Sequence, residues 1–254
     1  MKKIFQILSQ CMVLSLFGIS GFVMAAIDIS DVISRSNQGD TVALQQLAEA
    51  YHSGEYNIEQ DTGDMIKVYS PFAERGDLAA QYLLAIAYVD HSEDKKYIQW
   101  LQKSADAGFV IAQSDLGAAF VSGDTVKPNL KKAVHYLTLA AEQNNAEAQY
   151  VLGELYHEGK GVKKSFQKAE SLLKLAAQQN HEHALVHLGM MFELGQGVEK
   201  DYKKAVEYYE KASELGSVQV LEYLAEIYEA GGYGLEKNLP KAQYYSELWE
   251  DLKY

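Results

Sequence analysis

The chain has 254 residues, a formal net charge of −12, one cysteine and three prolines, and 48% of it is hydrophobic. That composition is globular rather than disordered, and a lone cysteine cannot supply a disulfide framework. The acidity speaks against nucleic acid and against an anionic membrane surface, which both select clustered lysine and arginine.

The chain opens MKKIFQILSQCMVLSLFGISGFVMAAIDIS. Lys2 and Lys3 precede an apolar run from Ile4 to Ala26, and Val23-Met24-Ala25 offers small residues at the spacing a signal peptidase reads. Residues 1–25 are expected to be a Sec-type signal peptide, outside the fold. The alternative is an uncleaved membrane anchor, since the run is long enough to span. A lipoprotein fits poorly, because Cys11 follows Gln10 and much apolar sequence lies after it. Cleavage removes Lys2, Lys3 and Cys11, leaving −14 and no thiol.

Residues 28–38 predict an N-terminal capping helix, and residues 26–254 a single domain. From about residue 40 the chain repeats itself. Leu116-Gly117, Leu152-Gly153 and Leu188-Gly189 recur 36 residues apart, with Leu47-Ala48, Leu84-Ala85 and Leu224-Ala225 as weaker copies. The spacing gives six units, at about 40–76, 77–108, 109–145, 146–181, 182–217 and 218–254. In the fourth, Ala148, Leu152, Gly153 and Tyr156 share one helix face, and Ala169, Leu172, Leu173, Ala176 and Ala177 share another. Each unit therefore predicts two helices that bury their apolar faces only by stacking on neighbours. The recurring Gly153 and Gly189 imply close helix approach, since glycine inside a helix costs ~1 kcal/mol relative to alanine. AQYYSELWEDLKY predicts the last helix, with Trp249 partly covering the final layer.

Between the two helices of the fourth unit stands HEGKGVKKSFQKA. Its glycines do not have the spacing of a phosphate loop. Gly159 instead predicts a left-handed helix stop and Gly161 a second unusual backbone angle. Ser165 predicts an N-cap, as do Asn129, Asp201, Asn238 and Asp61. Thr125 stands where other units carry the second glycine, so that turn should differ.

These positions, A-x-x-x-L-G-x-x-Y-x-x-G-x-G-V followed by an N-cap and K-A, resemble the Sel-one-like repeat, a longer relative of the tetratricopeptide repeat. The resemblance covers nearly all of the chain after the signal and is strongest over residues 146–217. It implies an all-α fold, an α-solenoid of about six antiparallel helix pairs in a right-handed superhelix, used for protein–protein contact. It implies no single activity.

The candidate chemistry is thin. His183 and His187 stand four apart, as zinc ligands can, but NHEHALVHLG holds no fixed acidic or thiol partner, and His181, His183 and His187 read as loop or surface residues. No nucleophile motif stands out, so no catalytic, cofactor-binding or metal residue is expected. Some secreted cysteine-rich members of the family bind or slowly hydrolyse penicillins, which leaves a cell-wall-related enzyme as the alternative.

By the same resemblance, the first helix of each unit lines the concave surface. Residues two before, two after and five after the repeat leucine point away from the core, at about 100° per residue. This face predicts a partner-binding track of Tyr82, Ile86, Val89, Ala118, Val121, Tyr150, Glu154, Val186 and Met190, ending in Glu222, Glu226 and Glu229. Such a track suits an extended protein or peptide partner carrying basic residues. The alternative is that tight curvature buries the apolar members. The expected protein is an exported bacterial adaptor, periplasmic or secreted, with no integral span after cleavage and no nucleic acid.

Overall fold

The computed structural model describes residues 29–53, 62–89, 93–231 and 234–253. The expected signal peptide and the expected N-cap Asp61 lie outside them. The described residues form thirteen α-helices and no strand. They are α1 (Ile29–Ser36), α2 (Thr41–Ser53), α3 (Thr62–Glu74), α4 (Leu78–Val89), α5 (Asp94–Asp106), α6 (Val110–Ser122) and α7 (Leu130–Glu142). Then follow α8 (Ala146–Glu158), α9 (Phe166–Gln178), α10 (Glu182–Leu194), α11 (Tyr202–Glu214), α12 (Leu221–Ala230) and α13 (Leu239–Leu252).

Helices pair as α4 with α5, α6 with α7, α8 with α9, α10 with α11 and α12 with α13, and each pair packs on the next. This is an α-solenoid. The first pair is looser: α2 packs on α1 and α4, while α3 packs on α4. The α1 helix is tied to α3 where the Tyr69 hydroxyl donates to Asn37 Oδ1 at 3.1 Å.

Repeated residues give repeated contacts. The six repeat leucines, Leu47, Leu84, Leu116, Leu152, Leu188 and Leu224, are all buried. A Cβ added at Gly117 would stand 2.7 Å from Leu137 Cγ, and one at Gly153 would stand 3.1 Å from Leu173 Cγ. At Gly189 it would run into the Tyr209 ring. The glycines thus let each second helix press its large side chain onto the first.

The turn chemistry follows the sequence. The amide of Lys168 donates to Ser165, that of Lys132 to Asn129, that of Lys204 to Asp201 and that of Lys241 to Asn238, at 3.1 to 3.3 Å. Gly159 and Gly161 have φ of 79° and 70°. The Thr125 turn does differ, since only Gly123 in it adopts positive φ.

Two further devices recur. The same four capped lysines place their ammonium groups over the aromatic ring four residues after the repeat leucine: Lys132 over Phe120, Lys168 over Tyr156, Lys204 over Phe192 and Lys241 over Tyr228, at 4.6 to 5.3 Å. Such cation–π contacts fix the two helices of a pair. Between pairs, buried Gln81, Gln113 and Gln149 donate back to Ala73, Ala105 and Ala141 carbonyls at 3.1 to 3.3 Å. Those carbonyls are among the last of each second helix, and each also accepts an amide of the following turn, from Gly76, Gly108 and Asn144.

Candidate partner-binding surface

His52, at the end of α2, brings its Nδ1 to 3.4 Å from Asp115 Oδ1 in α6. The first pair thereby touches the third past the second. In a curved stack, elements two pairs apart can meet only on the inner side. The first helices therefore form the concave wall, and this wall is tight.

That tightness corrects part of the sequence reading. Tyr82 is 1% exposed and is core, not surface. Its hydroxyl donates to Asp115 Oδ2 at 2.9 Å, and its ring leans on Phe109 at 5.6 Å. Burial, with the Asp115 carboxylate beside it, pushes the Tyr82 hydroxyl well above its ordinary pKa. Ile86, Ala118 and Val121 are half-buried, and Ile86 and Val121 pack on the same core. Val186 is half-buried against the C-terminal core. Val89 and Met190 remain exposed, at 46% and 41%.

Tyr150 and Glu154 sit in a histidine-rich cluster. The Tyr150 ring stacks on His181 at 4.7 Å and lies 5.9 Å from His183. His181 is not a loose loop residue. It caps α10, its Nδ1 accepting from the Ala184 amide at 3.2 Å, while its Nε2 lies 2.9 Å from Glu147 Oε2. His187 is buried rather than on the surface, with Nδ1 3.7 Å from Glu154 Oε1 and its ring 4.6 Å from that of His157. His157 in turn pairs through Nε2 with Gln196 Oε1 at 2.6 Å. His183 is exposed.

The electrostatics follow from these contacts. The bond to His181 holds the Glu147 carboxyl below its ordinary pKa. Burial works against the charge of Glu154, but His187 and the Tyr150 hydroxyl outweigh it and hold that carboxyl low as well. Asp115 raises the pKa of His52 above the usual imidazole value. Among the described residues, no three His, Cys, Asp or Glu side chains converge as a metal site.

Glu222, Glu226 and Glu229 are exposed at the far end of the stack. With Ala225, Leu239 and Trp249 they line a cleft of about 460 Å³ between α12 and α13. A separate groove of about 640 Å³ runs between α7, α8 and α9, lined by Leu152, Tyr156, Leu172 and the 44% exposed Leu175. No helix among the described residues is long and apolar enough to cross a membrane.

The sequence reading missed Asp115 and Glu147, which lie one and five residues before their repeat leucines. A different signal marks them. None of α2, α4, α6, α8, α10 and α12 contains a lysine or arginine, yet together they carry ten acidic residues.

The comparisons accord with this architecture. The structure is similar to that of a protective antigen present in uropathogenic Escherichia coli strains displaying an SLR fold, with a TM-score of 0.73 at 25% identity, covering 89% of this chain and 49% of that one. It is also similar to a Sel1 repeat protein from Oxalobacter formigenes, with a TM-score of 0.70 at 23% identity, covering 88% of this chain and 99% of that one. In sequence, 107 residues (40% of this chain) are 28% identical to the chitin synthase regulator SKT5 of Saccharomyces cerevisiae, spanning only 15% of that protein. The Sel1 repeat model matches residues 41–63, 98–109, 110–145, 146–181, 183–217 and 220–254, and the chain belongs to the Sel1 repeat family.

Proposed function

We propose that this protein is an exported adaptor that holds a protein or peptide partner, one bearing basic residues, on its concave wall. Sel1 repeat proteins are generally non-catalytic interaction scaffolds. The yeast relative is named as the regulator of an enzyme, which supports an adaptor over a catalyst. Export rests on the signal read in residues 1–25, and it gives the partner a periplasmic, envelope or host location.

The observation that carries the reading is Met190. It stands 41% exposed on α10, four residues after the half-buried Val186 of the same expected stripe. An exposed flexible thioether suits a surface that repacks against a partner. Tyr82 is unsuited to a test, because its substitution would damage the core. Met190→Asp, compared with Leu175→Asp on the outer groove, should abolish affinity capture and crosslinking of the partner from the native compartment. Loss with Leu175→Asp alone would move the binding face to the outer groove and overturn the reading.

The rival reading is a cell-wall-related enzyme. Purified protein is expected not to turn over nitrocefin. Turnover that disappears on changing one residue would establish the enzyme instead.

A further inference from the structure

In the pairs from α6 to α11, one large side chain of the second helix closes the gap to the first. It stands eight residues after the N-cap: Leu137 after Asn129, Leu173 after Ser165 and Tyr209 after Asp201. All three are buried, and they press on Gly117, Gly153 and Gly189. The last pair departs from this rule on both helices. Ala225 stands where the glycine would, and Ser246, eight residues after the N-cap Asn238, replaces the leucine or tyrosine. Ser246 is exposed. Three residues further on, the buried Ala140, Ala176 and Ala212 give way to the half-buried Trp249.

A small side chain in the place of a large one leaves space. The cleft of about 460 Å³ between α12 and α13 opens at these residues, with Ala225, Ser246 and Trp249 in its lining. Leu239, 55% exposed, adds apolar surface from the start of α13. In the pairs from α4–α5 to α10–α11, the second helix packs on the first helix of the next pair. The side of the last pair that carries the cleft is therefore shaped to receive a helix, and among the described residues no helix follows α13.

The rim of the cleft is acidic. Glu222, Glu226 and Glu229 line it, all exposed, and none of them has an ion pair or hydrogen bond among the described residues. Lys241 of α13 does not neutralise them, because it is paired with Glu210 of α11 at 2.7 Å. At i, i+4 and i+7, the three carboxylates share one helix face over about 10 Å. An apolar floor beside such a rim suits an amphipathic helix with lysine or arginine along one edge.

Resting on the adaptor reading, we propose that the α12–α13 cleft docks an amphipathic helix of the partner. Its apolar side chains lie over Ser246 and Trp249, and its lysines or arginines, at helical spacing, face Glu222, Glu226 and Glu229. A second copy of this chain does not offer that chemistry. The helices at the other end of the stack, α1 and α2, carry Asp31 and Glu49, and Arg35, their one lysine or arginine, is engaged by Asp40 at 2.7 Å.

Fluorescence anisotropy on the whole protein, at ionic strength of about 0.15 M to suppress loose attraction, tests the proposal with two fluorescein-labelled peptides. Each has about 20 residues, long enough to hold a helix, and the same leucines, alanines and lysines. One places leucine and lysine on adjoining helix faces, with lysine at i, i+4 and i+7; the other is shuffled. The wild type should bind the first at least about tenfold more tightly than the second. Glu222→Gln with Glu226→Gln and Glu229→Gln should weaken that binding at least about tenfold. Ser246→Leu, which restores the leucine of other pairs and fills the floor, should do the same with circular dichroism and thermal melt retained. Glu74→Gln with Glu142→Gln and Glu199→Gln, the same charge change away from the cleft, should have no effect.

Equal affinity for the two peptides overturns the proposal, and so does affinity that Ser246→Leu leaves unchanged or that the distant glutamate changes reduce as much. A dimer in sedimentation that Ser246→Leu disperses also overturns it, since a second copy then fills the cleft. The broader reading fails separately. If Met190→Asp stops partner capture while Ser246→Leu and the rim changes do not, the wall stands and the cleft proposal falls. If the peptide results hold and Met190→Asp leaves capture intact, the cleft stands and the wall reading falls.

Discussion

At the scale of single residues, the inner wall is held by polar pairs whose charge states depend on pH. His52 has a raised pKa because Asp115 stands beside it. Its stabilising effect is complete below the ordinary imidazole pKa, about 6.5, and is lost as pH rises through the raised folded value. Glu147 behaves in the opposite sense, because His181 lowers its pKa. Its effect is complete above 4.5, the carboxyl's ordinary value, and is lost as pH falls through the lowered one. Melting temperature should therefore be highest between these limits. His52→Gln should remove the decline on the alkaline side, and Glu147→Gln should reduce the one in acid. Exposed pairs contribute at most about 1 kcal/mol, so shifts of about 2–4 °C are expected in a thermal melt across pH. At Asp201, which caps α11, alanine should cost about 1 kcal/mol in a denaturant titration.

At the scale of helices, the decisive feature is how closely the two members of a pair approach. Gly189 faces the Tyr209 ring with no room for a methyl group. Gly189→Ala should force α10 and α11 apart and destabilise the protein by about 1–3 kcal/mol in urea unfolding, with helix content retained in the native state. Gln113→Ala should cost about 1 kcal/mol, because the Ala105 carbonyl loses its side-chain donor and keeps only the Gly108 amide. These elements were legible in the sequence because their causes are local and repeat. The Leu-Gly spacing marks the close approach, and Asn129, Ser165, Asp201 and Asn238 mark the helix starts. Tyr82 was misread because nothing local tells it from an exposed tyrosine. Its burial depends on Asp115 in the next unit and on the curvature that brings His52 to the same carboxylate. His187 was misread for the same reason, since its partner Glu154 lies in the preceding unit.

At the scale of the whole molecule, the stack separates charge as well as burying apolar surface. The outer helices balance lysine against acid in ion pairs, and four of those lysines also lie over aromatic rings. The inner helices carry no lysine or arginine, and all of them except α4 carry acid. A repeat whose units stack on one another can hold such a division between its two sides along the chain, and the proposed adaptor role places a basic partner on the inner side. The most direct test is hydrogen–deuterium exchange of the protein with and without the captured partner. Protection should concentrate in α8, α10 and α12, around Glu154, Met190 and Glu226. Protection confined to α7 and α9, beside Leu175, would contradict a concave binding wall.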